Sequence, residues 1–422
     1  MIGFDPSEEQ GLMQASVALF AKAALRPRQR DFEKARGLPN DVLTEAHAMG
    51  LGLATLPESV GGAGLGMTTA VLLEEEVAYG DPATAFGFGG PGAFGMAVTE
   101  LGTSEQAARW LAPFTSGDDA HARVGAVGWG ERRASKERAG LTTTATRDGD
   151  GWRLDGEKAY VLNAERAGSF VVFAQVDAAR GWNGLGAFVI GDAKRAEGLT
   201  VGVRDKTLGL DAASFGSISL KGVRVADADR LGTDASRATF DAALVRFFAK
   251  NALLVAARGV GLARAAFDVT REYAETRKAF GKPIGHFQAV AFTLADRAMD
   301  VEAARAMVWR AASLWDLDAD LRGTGGDGAA AVERDALLRS AWAISFAHEA
   351  AMRAGDDAVQ LHGGSGFMRD YPVEKLMRDA KQLQLCGMTA EHADQLAAAI
   401  ELGRPLDPGL VLPSAESQNA FV

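Results

Sequence analysis

The segment QLHGGSGFMRDYPVEKLMRDA, residues Gln360–Ala380, decides how the C-terminal part of this chain is built. It places the glycine-rich turn that begins at Gly363 and Gly364 between two stretches with helical periodicity. Pro372 suits the first turn of the second helix, because that position needs no backbone N–H donor. The ordinary interpretation is a helix connection, since Gly-Gly is favourable in turns. Bare glycine backbone can also approach a phosphate closely, so the segment indicates a ligand site as well.

A second segment, ETRKAFGKPIGHFQAVAFTLADRAMD (Glu275–Asp300), joins two further helices through a Gly-Lys-Pro turn. Around that turn it carries Arg277, Phe280 and Gln288. Together with Gln360 they offer a guanidinium fork for phosphate, an aromatic face for a base, and amide side chains. The two segments therefore predict a site for an extended diphosphate ligand.

Helical periodicity dominates the chain from about residue 236 onward. One apolar stripe begins at Leu244 and ends at Tyr273, and a second begins at Phe287 and ends at Trp315. The same period predicts two more long helices at about residues 331–359 and 372–400. Four long amphipathic helices in sequence are typical of a helical bundle.

The residues before the bundle divide into a helical and a β-rich region. Ser7 is a plausible helix cap, LPESVGGAGLG (Leu56–Gly66) reads as a loop, and TTAVLLEEEVAYG resumes the helix. LTTTATRDGDGWRLDGEKAYVL then predicts a hairpin with its turn at Asp148–Gly151, followed by short strands. The predicted fold class is α+β, with an N-terminal helical domain (1–122), a middle β-barrel or sandwich domain (123–235), a C-terminal four-helix bundle (236–405) and a tail (406–422).

Bulk properties narrow the functional classes. The chain has 422 residues, enough for two or three domains at roughly 150 residues each. A net charge of −10 argues against a nucleic-acid-binding surface. Cys386 is the only cysteine, which excludes an internal disulfide and fits a reducing compartment. Neither a signal peptide nor a membrane-spanning segment is evident, so we expect a cytoplasmic protein with no membrane span.

Several other motifs point to weaker alternatives. GPGAFG (Gly90–Gly95) matches a dinucleotide fingerprint by letter, but it lies in a helical region with no preceding strand. GGSGF (Gly363–Phe367) lacks the second glycine of a nucleophile elbow. The six histidines show no spacing typical of metal ligands, so we predict no metal site. GERRASKER (Gly130–Arg138) is either a solvated basic loop or a mouth for an anionic ligand.

The two helix-connecting segments resemble those of the acyl-CoA dehydrogenase family, whose hallmarks are Arg-x-x-Phe-Gly…Gln and Gln-x-x-Gly-Gly-x-Gly…Pro-Val-Glu-Lys…Arg-Asp-Ala. The α, β, α order and the early LPESVGGAGLG are also similar to that family, so the resemblance covers nearly the whole chain. It implies FAD between the β domain and the bundle, usually in a tetramer in which the ADP half of FAD reaches a neighbouring subunit. It implies three groups of cofactor-binding residues: Arg277, Phe280 and Gln288 for the ADP half; Gln360, Gly363 and Gly364 for the same region across the interface; and Thr389 near the flavin.

The resemblance breaks at the positions that supply the catalytic base. In the family a carboxylate removes the α-proton of an acyl thioester while the flavin accepts the β-hydride. The usual glutamate position is Gly387 here, followed by Met388 and Thr389. The alternative position on the first bundle helix is Asn251, followed by Ala252. The catalytic base therefore remains unknown, and Glu131, Cys386 and Tyr160 are candidates that sequence alone cannot place.

The β domain also departs from the family pattern. The Thr-Glu-Pro segment that faces the flavin corresponds to Gly130-Glu131-Arg132, and the Trp-x-Thr segment corresponds to Tyr160-Val161-Leu162. Two hydroxyl groups that would face the flavin ring are absent. Each hydrogen bond left unmade costs roughly 1–3 kcal/mol unless a backbone group replaces it.

Four interpretations remain open. The resemblance implies an FAD-dependent oxidoreductase of fatty acid metabolism that acts on acyl-CoA or another acyl thioester, with electron-transferring flavoprotein as the acceptor. An alternative is a catalytically silent or half-site subunit of a hetero-tetramer whose paralogue carries the base. A lesser alternative is a flavin monooxygenase of the same fold. A plain helical scaffold with no ligand is also open, but it would leave Arg277, Phe280, Gln288 and Gln360 as coincidence.

Overall fold

The computed structural model describes residues 6–132, 140–233, 235–324, 328–404 and 409. Its N-terminal part is helical, as predicted. Ser7 caps the first helix by accepting from the Gln10 N–H, and the Gln10 side chain accepts from the Ser7 N–H in return. This reciprocal capping box confirms the predicted start. The helices of this part are α1 (Glu8–Phe20), α2 (Gln29–Ala35), α3 (Asn40–Ala48), α4 (Met67–Gly80), α5 (Pro82–Gly87), α6 (Gly92–Leu101) and α7 (Ser104–Thr115).

The middle part is a curled seven-stranded sheet, which confirms the predicted β domain. Its strands are β1 (Gly125–Gly128), β2 (Thr144–Asp148), β3 (Gly151–Leu162), β4 (Ser169–Gln175), β5 (Leu185–Ile190), β6 (Leu199–Val201) and β7 (Phe215–Ala226). The predicted hairpin is β2 and β3, paired from Thr144–Asp155 to Asp148–Gly151. β2 meets β4 at a single residue pair, so the sheet bends there and encloses one core.

The C-terminal part is dominated by three long helices, α8 (Arg237–Thr276), α9 (Gln288–Thr324) and α10 (Ala329–His362). A two-stranded turn, β8 (Lys278–Ala279) with β9 (Lys282–Pro283), joins α8 to α9. No helix within the described ranges is both long enough and apolar enough to cross a membrane.

The prediction of one fourth helix at 372–400 is wrong in detail. Two helices occupy this segment, α11 (Val373–Leu383) and α12 (Ala390–Glu401). The break occurs because Gly387 has φ +71°, a left-handed conformation that ends a helix and favours glycine. Thr389 then caps α12 by accepting from the His392 N–H. The family's glutamate position therefore lies in a tight turn.

A buried ion cluster joins α11 to the two preceding parts of the chain. Lys375 Nζ lies 2.5 Å from Asp81 and 2.6 Å from Asp379, and all three side chains are at most 1% exposed. Asp81 also caps α5 by accepting from the Thr84 N–H, and Asp379 accepts from the Leu210 N–H. Burial raises the pKa of the Asp379 carboxyl, whereas the two carboxylates raise the pKa of Lys375 against the opposing effect of burial. The Lys375–Asp81–Asp379 cluster thus fixes α11 against both neighbouring parts.

We expect Lys375→Met to lower the free energy of unfolding at pH 7 by about 3–5 kcal/mol, because it leaves two buried carboxylates without a counter-charge. Those carboxyls would then bind protons more readily when folded than when unfolded. The loss of unfolding free energy relative to wild type should therefore become smaller as the pH falls from 7 toward 5. Urea unfolding at both pH values measures it.

Arg271→Met is the control, because the Arg271–Glu275 pair is exposed and contributes at most about 1 kcal/mol. An equal effect of the two substitutions, or a deficit that grows at low pH, would contradict the role given to the Lys375–Asp81–Asp379 cluster.

Candidate functional site

Four of the predicted ligand residues meet in one groove at the end of the bundle. Arg277 lies where α8 ends, and Gln360, Gly363 and Gly364 lie where α10 ends. All four line an open groove of about 460 Å³, the bundle-end groove. The Arg277 guanidinium has no carboxylate partner within the described ranges, so its charge is available to an anionic ligand.

The glycines of this turn have different physical roles. At Gly366 an added Cβ would lie 2.3 Å from the Val359 carbonyl oxygen, so packing within the chain requires glycine there. Gly363 has φ +57°, which favours glycine by conformation. An added Cβ at Gly364 would meet nothing within 4 Å. Neither crowding nor a positive φ explains why residue 364 is a glycine. This observation favours close approach by a ligand or a neighbouring chain over a simple helix connection.

An aromatic stack forms the inner wall of the bundle-end groove. The rings of His362 and Tyr273 are stacked with centroids 4.1 Å apart, and Tyr371 meets both edge-on. His362 Nδ1 lies 2.7 Å from the Ala358 carbonyl oxygen, while its buried Nε2 has no partner among the described residues. Burial lowers the pKa of His362, so the ring is neutral near pH 7. Nε2 is then a hydrogen-bond acceptor beside the groove.

Three other predicted cofactor residues lie outside this groove. Phe280 is 97% exposed at the tip of the β8–β9 turn, with φ +50°. Gln288 is exposed at the start of α9. Thr389 lies in the α11–α12 turn, where its side-chain oxygen is engaged in the cap of α12. One chain therefore assembles only part of the predicted set.

The turn at Gly387, one of the two positions to which the resemblance assigns a base, packs against α8 next to the other, Asn251. An added Cβ at Gly387 would be 3.3 Å from the Ala252 Cα atom and 3.4 Å from the Val255 Cγ2 atom. Ala252 follows Asn251 in α8, so residues far apart in sequence meet at this point. Asn251 faces a cavity of about 80 Å³ between α8 and the N-terminal helices α4 and α6, which we call the α4–α8 cavity.

Sequence reasoning missed the charged pair that also lines the α4–α8 cavity. Arg258 Nε lies 2.8 Å from one oxygen of Glu74, and Nη2 lies 3.1 Å from the other. The Arg258 guanidinium also lies over the Phe86 ring, 4.4 Å from its centroid. No local pattern could have indicated this pair, because its members are 184 residues apart.

Comparison with known proteins identifies the family. The family model "Acyl-CoA dehydrogenase, N-terminal domain" matches residues 7–118 of this chain. The model of the family's middle domain matches residues 126–223, and the model of its C-terminal domain matches residues 240–400. The chain is 32% identical over 394 residues to "Probable acyl-CoA dehydrogenase FadE25" of Mycobacterium tuberculosis, covering 90% of this chain and 92% of that protein. The chain belongs to the acyl-CoA dehydrogenase family.

Two further acyl-CoA dehydrogenases support this assignment. The mitochondrial short-chain specific acyl-CoA dehydrogenase of Bos taurus is 30% identical over 390 residues, covering 91% of this chain and 88% of that protein. The structure of butyryl-CoA dehydrogenase from Megasphaera elsdenii superposes with a TM-score of 0.82 at 27% identity, covering 95% of this chain and all of that one. The predicted family and fold are therefore confirmed.

The three candidate bases named from the sequence are poorly suited to that role in this acyl-CoA dehydrogenase fold. Burial raises the pKa of the Cys386 thiol to about 12, so it is protonated near neutral pH. Tyr160 is 65% exposed, with φ +55°. Glu131 is buried against Lys158, with 2.7 Å between Oε1 and Nζ, and it also accepts from the Thr142 and Thr143 N–H groups. Within the described ranges no group of three or more His, Cys, Asp or Glu side chains could hold a metal ion.

The predicted basic mouth lies mostly outside the described residues, which exclude Arg133, Lys136 and Arg138. Arg132 is described and pairs with Asp205 at 3.1 Å. Next to it, Glu131 and Lys158 form a buried pair between the end of β1 and β3. Burial opposes the charged form of each group. Even so, the pairing and hydrogen bonds hold the pKa of Glu131 at about 2, whereas burial lowers that of Lys158 to about 8.

Glu131→Gln should lower the free energy of unfolding at pH 7 by about 3 kcal/mol, because it leaves the buried Lys158 ammonium unpaired. Wild-type Lys158 loses its proton near pH 8, below the ordinary value of 10.5. The difference in the free energy of unfolding between wild type and Glu131→Gln should therefore become smaller from pH 7 to pH 9.5. Unfolding curves at the two pH values test this, with Glu165→Gln at an exposed, loosely paired carboxylate as the control. A deficit that widens at pH 9.5 would show that the charge pair is not its cause.

Proposed function

We propose that this acyl-CoA dehydrogenase family member is an FAD-dependent oxidoreductase that acts on an acyl thioester. The observation that carries the proposal is the convergence of Arg277, Gln360, Gly363 and Gly364 on the bundle-end groove. A solvent-exposed guanidinium with no carboxylate partner in the part of the chain that the structure describes, beside glycine backbone open to approach, suits a diphosphate. Membership of the acyl-CoA dehydrogenase family favours FAD as that dinucleotide.

FAD would supply the acceptor for the substrate hydride, and this chain's residues would hold its ADP half. Arg277 would pair with a phosphate oxygen, Gln360 would donate from its amide, and His362 Nε2 would accept from an amino or hydroxyl group. The exposed Phe280 and Gln288 would complete the same region from a neighbouring subunit. This arrangement requires an oligomer, and we infer a tetramer.

The acyl thioester would place its reacting carbons near Asn251 or the Gly387 turn, the two positions to which the resemblance assigns a base. Butyryl-CoA and short-chain specificity appear in the names of two relatives, which favours a coenzyme A thioester for this chain as well. We further infer an electron-transferring flavoprotein as acceptor and a cytoplasmic location, the latter from the buried free thiol of Cys386.

Proton removal is the step in which this chain departs from the pattern that the resemblance implies. Neither Gly387 nor Asn251 can accept a proton. Glu74 is a carboxylate of the α4–α8 cavity, but both its oxygens are bonded to Arg258. Loss of a general base typically lowers a rate by about 10²–10⁴. We therefore expect slow turnover by this chain alone.

The neutral residues at Gly387 and Asn251 also favour a second candidate function, a half-site subunit. The groove residues that would reach a neighbour are retained, whereas both base positions are neutral. A paralogue with a carboxylate at either position would then complete the assembly. Purification of the two chains separately and together distinguishes the candidates, because a half-site subunit gives rapid turnover only in the mixture.

We expect Arg277→Ala to weaken FAD binding by about 10–100-fold, the effect of losing one charge-assisted bond to phosphate. Titration of the apoprotein with FAD, followed by flavin absorbance, measures this. Arg271→Ala is the matched control, because Arg271 lies in the same helix and pairs with Glu275 outside the groove. Equal affinities of the two variants would contradict the ADP site.

Asn251→Glu should increase the rate of α-proton exchange from butyryl-CoA by about 10²–10⁴, because it provides a carboxylate in a regular helix facing the α4–α8 cavity. Gly387→Glu should gain less, since φ +71° strains any side chain there. Proton exchange in D₂O, followed by NMR, measures the step without flavin reduction. Asn251→Gln is the neutral control of matching size. No gain with Asn251→Glu would mean that the substrate carbons lie elsewhere.

A further inference from the structure

His348 is a titratable side chain enclosed in the centre of the C-terminal bundle. It lies in α10 and has no exposed surface. Neither ring nitrogen has a hydrogen-bond partner in the part of the chain that the structure describes. Buried polar atoms are hydrogen-bonded in the large majority of cases, so two unpartnered nitrogens on one ring require an explanation. His348 lines neither the bundle-end groove nor the α4–α8 cavity, so ligand binding at those places does not supply one.

The helices next to His348 are closely packed. An added Cβ at Gly259 of α8 would lie 3.3 Å from the carbonyl oxygen of Ala347, the residue before His348. The same added atom would lie 3.6 Å from the Leu383 Cδ2 atom of α11. α8, α10 and α11 therefore meet beside this ring. The ring reaches water only if a neighbouring element moves away.

α12 is the neighbouring element that can move. α10 is its main packing partner among the described elements, and one apolar cluster contains Ala393 and Leu396 of α12 together with Ala347 of α10. Near the end of α12 the Ile400 carbonyl accepts from the Arg334 guanidinium of α10. An element that packs mainly on one neighbour can open locally while the rest of the fold stays closed.

The charged group that acts on the His348 ring is Glu391, in the first turn of α12, and its carboxylate favours the protonated ring. His392 of α12 and Cys386 of the preceding turn are further titratable groups on these elements, and both are buried. α8 offers Arg258, whose charge is already paired with Glu74. Burial outweighs the effect of Glu391 and lowers the pKa of His348 to about 4. The enclosed ring is therefore neutral at pH 7.

We propose that His348 is an acid-sensitive latch, and that protonation of its ring releases α12 and the Gly387–Thr389 turn from α10 while the other bundle helices stay folded. In the opened state the pKa of the ring returns to the ordinary value of 6.5, whereas in the closed state it is about 4. The opened state therefore binds a proton more readily. The contact between α10 and α12 is fully stable above pH 6.5 and weakens as the pH falls toward 4. The inference is independent of the proposed function, because it needs neither FAD nor substrate.

The test is hydrogen exchange at pH 7 and pH 5, followed by mass spectrometry and corrected for the intrinsic effect of pH on exchange. We expect the protection of the α12 amides of wild type to fall by about 20-fold, the change that follows from pKa values of 6.5 when open and about 4 when closed. The protection of the α9 amides should change by less than about threefold. His348→Leu removes the titrating ring at similar volume, so its α12 protection should also change by less than about threefold.

His121→Leu is the matched control, because His121 lies in a short turn before β1, outside the bundle. This variant should keep the wild-type loss of α12 protection. The inference is overturned if wild-type α12 protection is insensitive to pH, if α9 loses as much protection as α12, or if His348→Leu shows the wild-type loss. Wild type alone decides the first two outcomes, so the test stands even if His348→Leu fails to fold.

Discussion

The buried contact between Lys375 and the carboxylates of Asp81 and Asp379 determines where the functional parts of this molecule lie. Asp81 belongs to the N-terminal helices, and Asp379 accepts from the backbone N–H of Leu210, which lies between β6 and β7 of the β domain. The charges therefore position α11 against both. α11 ends four residues before Gly387, so its placement also fixes the turn that meets α8 beside Asn251. A weakly held α11 would leave the Gly387 turn without a defined geometry.

Two arginines illustrate how charge is used differently in the two ligand regions. Arg277 is exposed, faces an open groove and has no carboxylate partner among the described residues. Its charge is free to attract a phosphate. Arg258 is enclosed, bidentate with Glu74 and stacked on Phe86. Its charge is neutralised by that pair, so it is not free to bind an anion. This contrast favours the bundle-end groove over the α4–α8 cavity as the place for an anionic ligand.

The sequence allowed prediction of the elements that depend on local periodicity and local capping, including the Ser7 cap, the β2–β3 hairpin and the long bundle helices. It failed at the α11–α12 break, because an apolar pattern continues across Gly387 while the backbone reverses its conformation. The resemblance assigned Arg277 and Gln360 to the same region from opposite sides of a subunit interface, so their meeting in one groove of a single chain was not predicted. The Glu74–Arg258 pair could not be predicted, since it depends on how two distant helices pack.

The most direct test of this account is the visible absorption spectrum of the wild-type protein, loaded with FAD and titrated anaerobically with butyryl-CoA. We predict flavin bands at about one per chain that shift when the thioester binds and bleach only slowly. Such a spectrum would mean that cofactor and substrate are bound without a carboxylate base. A protein that remains colourless after addition of FAD would contradict the dinucleotide site, and immediate bleaching would contradict the absence of a base.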